Sequence, residues 1–287
     1  MIIAIASGKG GTGKTTIATN LALTLAEGGT TLQLLDCDVE EPNCHLFIKP
    51  SWGDNRQVTI VHPRVNEALC TGCGICAEVC EYNAIAVVNG EVLIFPELCH
   101  ACGACSRFCP EDAIEEVPHA IGTISTGHAG NIRFIQGLLN IGELMTPAVI
   151  ETVKSSSDPD ALTIIDAPPG ASCPVIEAVR GVDFVVLVTE PTPFGLNDLV
   201  IAVEAMRALE RPFAVTVNRC DIGNDEVVRY CRKEKIDIIA EIPDDRRIAE
   251  AYSRGDMLIH TLPHMKELFE HLWHEIRNRV STKRENT

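Results

Sequence analysis

Eight cysteines in residues 70–109 form two copies of one pattern, C-x2-C-x2-C-x3-C. Thiolates with this spacing bind [4Fe–4S] clusters, and the fourth cysteine of each copy ligates the other cluster. Structural zinc, which also binds C-x2-C pairs, is the alternative. Two identical four-cysteine runs favour iron–sulfur clusters over zinc. The ligands predicted for cluster I are Cys70, Cys73, Cys76 and Cys109, and those predicted for cluster II are Cys99, Cys102, Cys105 and Cys80.

A second pattern with chemistry, G-x-x-x-x-G-K-[ST], occupies residues 8–15, between an apolar run and a helical pattern. Backbone N–H groups of such a loop and the start of the following helix surround phosphate oxygens. Lys14 is predicted to reach the β- and γ-phosphates, and the Thr15 hydroxyl to ligate Mg²⁺. The motif alone does not separate ATP from GTP. The predicted phosphate-binding residues are Gly8, Gly10, Gly11, Thr12, Gly13, Lys14, Thr15 and Thr16.

Three aspartates could complete a magnesium site around this loop. Asp166 ends an apolar run, which places its carboxylate beside the phosphate loop, where it can hold Mg²⁺ through water. Asp36 and Asp38 follow the second apolar run, and either could orient the metal or the attacking water. Each aspartate taken alone could equally be a helix N-cap or a surface acid. The prediction therefore depends on their shared position after buried strands.

These groups must be positioned by the elements around them. The spacing of Ile17, Leu21 and Leu25 predicts a helix directly after the phosphate motif. Further helices are predicted near residues 196–209, 224–234 and 245–254. The runs predicted as buried strands are Ile2–Ala6, Thr31–Leu35, Leu162–Ile165, Phe184–Val188, Phe213–Val217 and Ile236–Ile242. Strands that alternate with helices predict an α/β fold with a mostly parallel sheet, covered on both faces.

Residues 60–118 interrupt this alternation. They contain an internal repeat with a period of 29 residues, so that Cys70 matches Cys99. They also carry nine acidic and two basic residues, a net charge of −7 before any cluster is added. We therefore predict a compact domain at residues 60–118, inserted into a P-loop domain that consists of residues 1–59 and 119–287.

Further residues give the chain a resemblance to the MinD/ParA/Mrp group of P-loop ATPases. They are Lys9, the extra lysine of a deviant Walker A motif, the pair Asp36-x-Asp38, and the run Asp166-Ala-Pro-Pro-Gly170. The resemblance covers residues 1–50 and about 120–280.

The resemblance implies that the nucleotide is ATP or ADP and that the protein forms an ATP-dependent sandwich dimer. The dimer would be a homodimer or a heterodimer with a paralogue. Lys9 and Lys14 would be catalytic, with Lys9 contacting phosphate bound by the partner subunit, and Asp38 would activate water. The residues that the resemblance places at Mg²⁺ are Thr15, Asp36 and Asp166, and those that it places against adenine are Asn218 and Pro243.

Residues 60–118 resemble a 2[4Fe–4S] bacterial ferredoxin, which implies a small α+β domain. The whole chain thus resembles MinD-superfamily ATPases with an inserted ferredoxin domain. The implied function is ATP binding and hydrolysis, coupled to electron transfer or to metal or Fe–S cofactor assembly with a redox or metal-cofactor partner protein. The alternative is a MinD/ParA-like spatial regulator whose clusters sense redox state, and a third hypothesis gives the clusters a purely structural role.

The composition of the 287-residue chain narrows its partners further. A formal net charge of −16 argues against non-specific binding to nucleic acid or to an anionic membrane. The first apolar run is too short for a signal peptide, and no run reaches the length of a membrane span. Reduced, metal-bound cysteines then favour a cytoplasmic protein. We expect the apolar stripe of residues 265–280 to pack against the core rather than on a membrane, and Cys173 to be buried.

Overall fold

The computed structural model describes the backbone of residues 1–285 and the side chains of residues 1–281. Its strands are β1 Ile2–Ser7, β2 Leu32–Asp36, β3 Ser51–Val65, β4 Ile85–Val88, β5 Glu91–Ile94, β6 Ile114–Ala129, β7 Ile132–Leu139, β8 Leu162–Pro169, β9 Phe184–Thr189, β10 Phe213–Asn218 and β11 Ile238–Ile242. Its helices are α1 Lys14–Glu27, α2 Cys44–Ile48, α3 Ile75–Glu78, α4 Ala104–Arg107, α5 Thr146–Ser155, α6 Cys173–Val179, α7 Pro193–Ala208, α8 Glu226–Glu234, α9 Arg246–Arg254, α10 Leu258–Thr261 and α11 His264–Glu285.

A nine-stranded sheet in the described part of the chain forms the centre of the molecule, with the strand order β11-β10-β9-β1-β8-β2-β7-β6-β3. All neighbours from β11 to β7 are parallel, whereas β6 and β3 join in antiparallel pairs. One face of the sheet is covered by α1, α10 and α11, and the other by α5, α6 and α7. The predicted α/β fold with a mostly parallel sheet is confirmed, because the six predicted strands correspond to β1, β2, β8, β9, β10 and β11.

The strands β3 and β6 form a long antiparallel ribbon that was not predicted. Their register runs from Ser51 opposite His128 to Val65 opposite Ile114. Most of β3 is exposed, and its sequence lacks the apolar run or strict alternation by which a buried strand is recognised. Because β6 pairs with β7 only over Gly122–Ala129, the rest of the ribbon extends beyond the sheet and carries residues 66–113 at its far end.

Residues 66–113, which we call the cysteine module, reproduce the internal repeat in three dimensions. The short helices α3 and α4 each begin after a glycine with positive φ, Gly74 and Gly103. The β4–β5 hairpin lies between them in the chain. The predicted domain boundaries at residues 60 and 118 fall inside the continuous strands β3 and β6, and the division into two domains remains a prediction.

The C-terminal helix α11 packs against the sheet, as expected from its apolar stripe. Met265, Phe269, Leu272 and Ile276 are fully buried, and Val280 is nearly so. They join α1 and the strands β1, β2 and β8 in one apolar core. No helix among the described residues is both long and apolar enough to cross a membrane.

Candidate nucleotide cleft and cysteine cavities

The phosphate loop connects β1 to α1 and is held tightly by its surroundings. Gly13 adopts φ 98° immediately before α1, a conformation that favours glycine. A Cβ atom at Gly8 would lie 2.2 Å from the backbone oxygen of Asp198, so a larger residue cannot occupy this position without a shift of α7. The loop therefore presents its N–H groups and the start of α1 on a fixed path, which suits a phosphate.

Two predicted magnesium ligands, Asp36 and Asp166, lie opposite each other on the neighbouring strands β2 and β8. Asp166 Oδ2 accepts a hydrogen bond from Thr15 Oγ1 at 2.6 Å, which brings the third predicted ligand to the same place. Asp166 Oδ1 is buried and has no hydrogen-bond partner in the described structure. A buried, unpartnered carboxylate oxygen beside a hydroxyl is a donor set that fits Mg²⁺.

Burial makes this carboxylate pair electrostatically costly. Asp36 and Asp166 are completely buried, and desolvation raises the pKa of both. Their mutual repulsion adds to the rise at Asp36. The Cys44 backbone N–H donates to Asp36 Oδ2 at 3.0 Å, and its thiol lies 3.3 Å from Asp166 Oδ2. A bound cation would relieve the repulsion between the two carboxylates.

Lys14 and Asp38 line the nucleotide cleft, and the charge of the buried Asp166 acts on both of them. Burial lowers the pKa of the Lys14 ammonium, although the nearby charges of Asp166 and Asp38 oppose that shift. Burial raises the pKa of the Asp38 carboxyl to about 6, with Asp166 adding to the rise and Lys14 opposing it. Asp38 can therefore accept a proton from water most readily above pH 6.

The cleft itself encloses about 410 Å³ and has the size of a small-molecule site. It brings Asn218 and Pro243, which were predicted to contact adenine, together with the phosphate loop. Asn218 Nδ2 donates to the backbone oxygen of Thr12 at 2.9 Å. The exposed ring of Tyr252 adds an aromatic surface that the sequence motifs did not indicate.

Lys9, like Gly8, Thr12, Asp36 and Asp166, is not among the residues that line the cleft. Its ammonium forms an ion pair with Glu190 Oε2 at 3.3 Å. Glu190 was missed in the sequence, as was the cysteine at the carboxylate pair, Cys44. The only sequence signal for Glu190 was an acid directly after a buried strand. Cys173, expected to be buried, is exposed at the start of α6, so that expectation is wrong.

The eight cysteines of the module line two cavities, four to each. One cavity is lined by Cys80, Cys99, Cys102 and Cys105, and the other by Cys70, Cys73, Cys76 and Cys109. These are the two ligand sets predicted from the spacing, including the exchange of the fourth cysteine. The fourth cysteines also match in detail, because Cys80 Sγ and Cys109 Sγ each accept a backbone N–H at 3.3 Å.

The sulfur spacing bears on which metal the cavities suit. In the described part of the chain, Asp36, Cys44 and Asp166 are the one group of three potential ligands whose atoms lie within 4.8 Å of one another. No three of the eight sulfurs are therefore that close. A tetrahedral zinc ion with Zn–S bonds of about 2.3 Å would hold its sulfurs roughly 3.8 Å apart. The sulfurs that line the cavities are therefore spaced more widely than a single zinc ion requires.

The fold and the cleft agree with a known family. A family model for the CobQ/CobB/MinD/ParA nucleotide-binding domain matches residues 3–259. The chain belongs to this family. It is a MinD/ParA-family ATPase, a hydrolase acting on ATP.

Several individual proteins are similar to this chain over most of its length. Two uncharacterised proteins of Methanocaldococcus jannaschii are 33% and 32% identical, over 96% of both chains for the first and over 90% of this chain and 91% of the relative for the second. An iron–sulfur cluster carrier protein of Pyrococcus horikoshii is 26% identical, over 88% of this chain and 77% of the relative. The structure of the septum site-determining protein MinD with Mg-ADP, from the same organism, has a TM-score of 0.61 at 19% identity, over 96% of this chain and 95% of that one.

Proposed function

We propose that this ATPase carries two [4Fe–4S] clusters and couples its nucleotide state to them. The coupling would serve electron transfer, or metal or Fe–S cofactor assembly, with a partner protein. The observation that carries the proposal is the pair of four-cysteine cavities at the end of the β3–β6 ribbon, because the ribbon extends past the carboxyl edge of β7, the same edge of the sheet at which the cleft lies.

In the cleft, we assign ATP or ADP to the phosphate loop and Mg²⁺ to Thr15, Asp36 and Asp166. The loop N–H groups and the Lys14 ammonium would offset negative charge on the phosphates. The Asp38 carboxylate would orient and deprotonate the attacking water. Asn218 and Pro243 would contact adenine. The Mg²⁺ ion would neutralise charge on the phosphate oxygens when bound.

In the module, Cys70, Cys73, Cys76 and Cys109 would hold cluster I, and the other four cysteines cluster II. Each cluster would supply one-electron redox chemistry when bound. The N–H donors of Ala84 and Ala113 to the fourth cysteines would stabilise negative charge on the sulfurs. The name of the P. horikoshii relative, an iron–sulfur cluster carrier protein, supports a link between this family and such clusters.

One continuous stretch of chain, from Asp36 through α2 and β3, joins the two sites. Asp36 accepts the backbone N–H of Cys44, the first residue of α2. Lys49, which follows α2, has a left-handed backbone conformation with φ 49°, uncommon for a residue other than glycine. The strand β3 then leads directly to the module. A nucleotide-dependent shift of residues 38–44 would therefore be passed along the ribbon.

We further propose an ATP-dependent dimer in which Lys9 contacts phosphate bound by the partner subunit. In the single subunit the Lys9 ammonium pairs with Glu190, and Lys9 does not line the cleft of its own subunit. M. jannaschii has two relatives that are similar to this chain to nearly the same degree. A heterodimer with a paralogue is therefore a second arrangement of the same interface.

The spatial-regulator alternative has less support from the structure. Membrane recruitment through residues 265–280 would need the apolar stripe of α11, whose side chains are buried in the core. ATP-dependent binding to lipid vesicles that is lost on removal of residues 265–280 would favour the regulator.

The test is an anaerobic redox titration of the cluster-loaded protein followed by EPR, with ADP and with a non-hydrolysable ATP analogue. We expect signals from two [4Fe–4S] clusters, and at least one reduction potential that differs between the two nucleotides. The Lys14→Ala variant, in which nucleotide binding is disabled, should show no difference. Potentials that do not change with the nucleotide would contradict the coupling, and the absence of two clusters would contradict the cofactor assignment.

A further inference from the structure

The ion pair of Lys9 is part of a three-residue arrangement behind the phosphate loop. Glu190 directly follows β9 and its side chain is only 8% exposed. Its Oε2 lies 3.3 Å from Lys9 Nζ, and its Oε1 lies 3.2 Å from Arg219 Nη1. Two cations thus share one nearly buried carboxylate. Lys9 is the extra lysine of the phosphate loop, and Arg219 follows Asn218 and lines the nucleotide cleft.

With this arrangement, Lys9 can leave Glu190 without leaving the buried carboxylate unpaired. Removing the only partner of a buried carboxylate is strongly unfavourable. Glu190, however, keeps Arg219 when Lys9 leaves. Its Oε1 lies within ion-pair distance of Arg219 but has no well-directed hydrogen bond, so the guanidinium can turn further onto the carboxylate. A planar guanidinium is well suited to replace an ammonium on a carboxylate.

Arg219 also connects this carboxylate to the nucleotide cleft. Its Nε lies 3.5 Å from Asp244 Oδ1, and both residues line the cleft. The Arg219 guanidinium therefore forms ion pairs with both Asp244 at the cleft and Glu190 behind the loop. A ligand that displaces Arg219 from Asp244 would strengthen its contact with Glu190 and weaken the hold of Glu190 on Lys9.

We infer that Glu190 restrains Lys9 in the single subunit, and that Arg219 takes over the Glu190 carboxylate when Lys9 moves to phosphate bound by the partner subunit. Glu190 and Arg219 are positioning residues for Lys9. This inference rests on the proposed ATP-dependent dimer and names the contacts that regulate its formation.

The experiment measures the fraction of dimer by analytical ultracentrifugation, as a function of a non-hydrolysable ATP analogue. Glu190→Gln removes the restraint, and its half-maximal analogue concentration should fall about fivefold. Arg219→Gln removes the replacement partner, and its half-maximal concentration should rise about fivefold. In the double variant, Arg219→Gln should have no further effect. Glu234→Gln, which breaks the distant pair with Arg207, serves as the control and should match the wild type.

The two variants should shift the half-maximal analogue concentration in opposite directions. Structural damage would instead weaken the dimer in both variants. Lys9→Ala is also combined with each variant, and the affinity of these combined variants for the analogue is measured in parallel. A change in affinity that persists without Lys9 is a direct effect of Arg219 on the cleft and is subtracted. Weaker dimerisation of Glu190→Gln would overturn the inference alone, as would an unchanged half-maximal concentration. A wild-type protein that stays monomeric with the analogue would overturn the proposed dimer and this inference together.

Discussion

The nucleotide cleft and the cysteine module are built in opposite ways. The cleft gathers side chains from distant segments, because the carboxyl ends of parallel strands meet at one edge of the sheet. Behind it lies a large apolar core in which Phe134 and Phe269 are fully buried. The cysteines of the module all lie within residues 70–109, and its buried apolar residues are few: Cys76, Ala84, Ile85 and Ala113, with Ile114 of β6 packed against them.

This difference shows what each region needs in order to fold. The apolar core of the sheet can position the cleft before any ligand binds. A body as small as the module buries too little apolar surface to be stable alone, and such bodies usually depend on metals or disulfides. The clusters should therefore hold the module together, whereas the nucleotide only occupies a cleft that already exists.

The largest expected effect is from the removal of iron. The cluster-free protein should lose amide protection throughout residues 66–113, because the cavities lose the groups that join their cysteines. The strands β1, β8 and β9 should stay protected. Hydrogen–deuterium exchange with mass spectrometry measures both regions in one sample. A cluster-free module that keeps its protection would show that its small apolar core is sufficient.

A cavity in the large core should destabilise the sheet and leave the cysteine module unchanged. Phe269→Ala removes a fully buried ring from α11, and should lower the free energy of unfolding by about 3–5 kcal/mol. Denaturant unfolding measures this loss. The EPR signals of the clusters should be unchanged at low denaturant, since α11 packs on the sheet. A loss of cluster signals in the folded variant would contradict the independence of the two regions.

The sequence predicted some parts of each region and not others, for physical reasons. Buried parallel strands leave continuous apolar runs, and a cluster leaves a local cysteine pattern, so both were visible. The ribbon β3–β6 was not, because strands that face solvent need no apolar residues. Glu190 and Cys44 were also missed, because their importance depends on partners far away in the chain, such as Lys9 and Asp166.

The next largest effect concerns the phosphate loop alone. Lys14→Ala should weaken nucleotide binding about 100-fold, because a charge-assisted contact to phosphate is lost. Isothermal titration calorimetry with ADP and Mg²⁺ measures the affinity. Lys233→Ala, an exposed lysine on α8, is the matched control and should bind normally. Unchanged affinity of Lys14→Ala would refute the phosphate site, while its clusters should load as in the wild type.

The smallest expected effect is on stability and depends on pH. The raised pKa values of Asp36 and Asp166 mean that the fold favours their protonated forms, so stability falls as the pH rises above their unfolded pKa of about 3.9. Without Mg²⁺, Asp166→Asn should therefore be more stable than the wild type at pH 7.5, because the variant no longer buries two neighbouring carboxylates. The difference should narrow towards pH 4.

Thermal unfolding at several pH values measures this difference. Asp160→Asn, an exposed aspartate before β8, is the control and should show no such trend. A destabilised Asp166→Asn at pH 7.5 would mean that the hydrogen bonds to Thr15 and Cys44 outweigh the cost of burying two neighbouring carboxylates.

The central claim is that the two regions, although built separately, communicate through the ribbon. The most direct measurement is the steady-state rate of ATP hydrolysis by the cluster-loaded protein, under anaerobic conditions, with the clusters first oxidised and then reduced. We predict that the two rates differ by at least about fivefold, the size of a typical coupling between distinct sites. Equal rates in the two redox states would contradict the coupling of nucleotide and clusters.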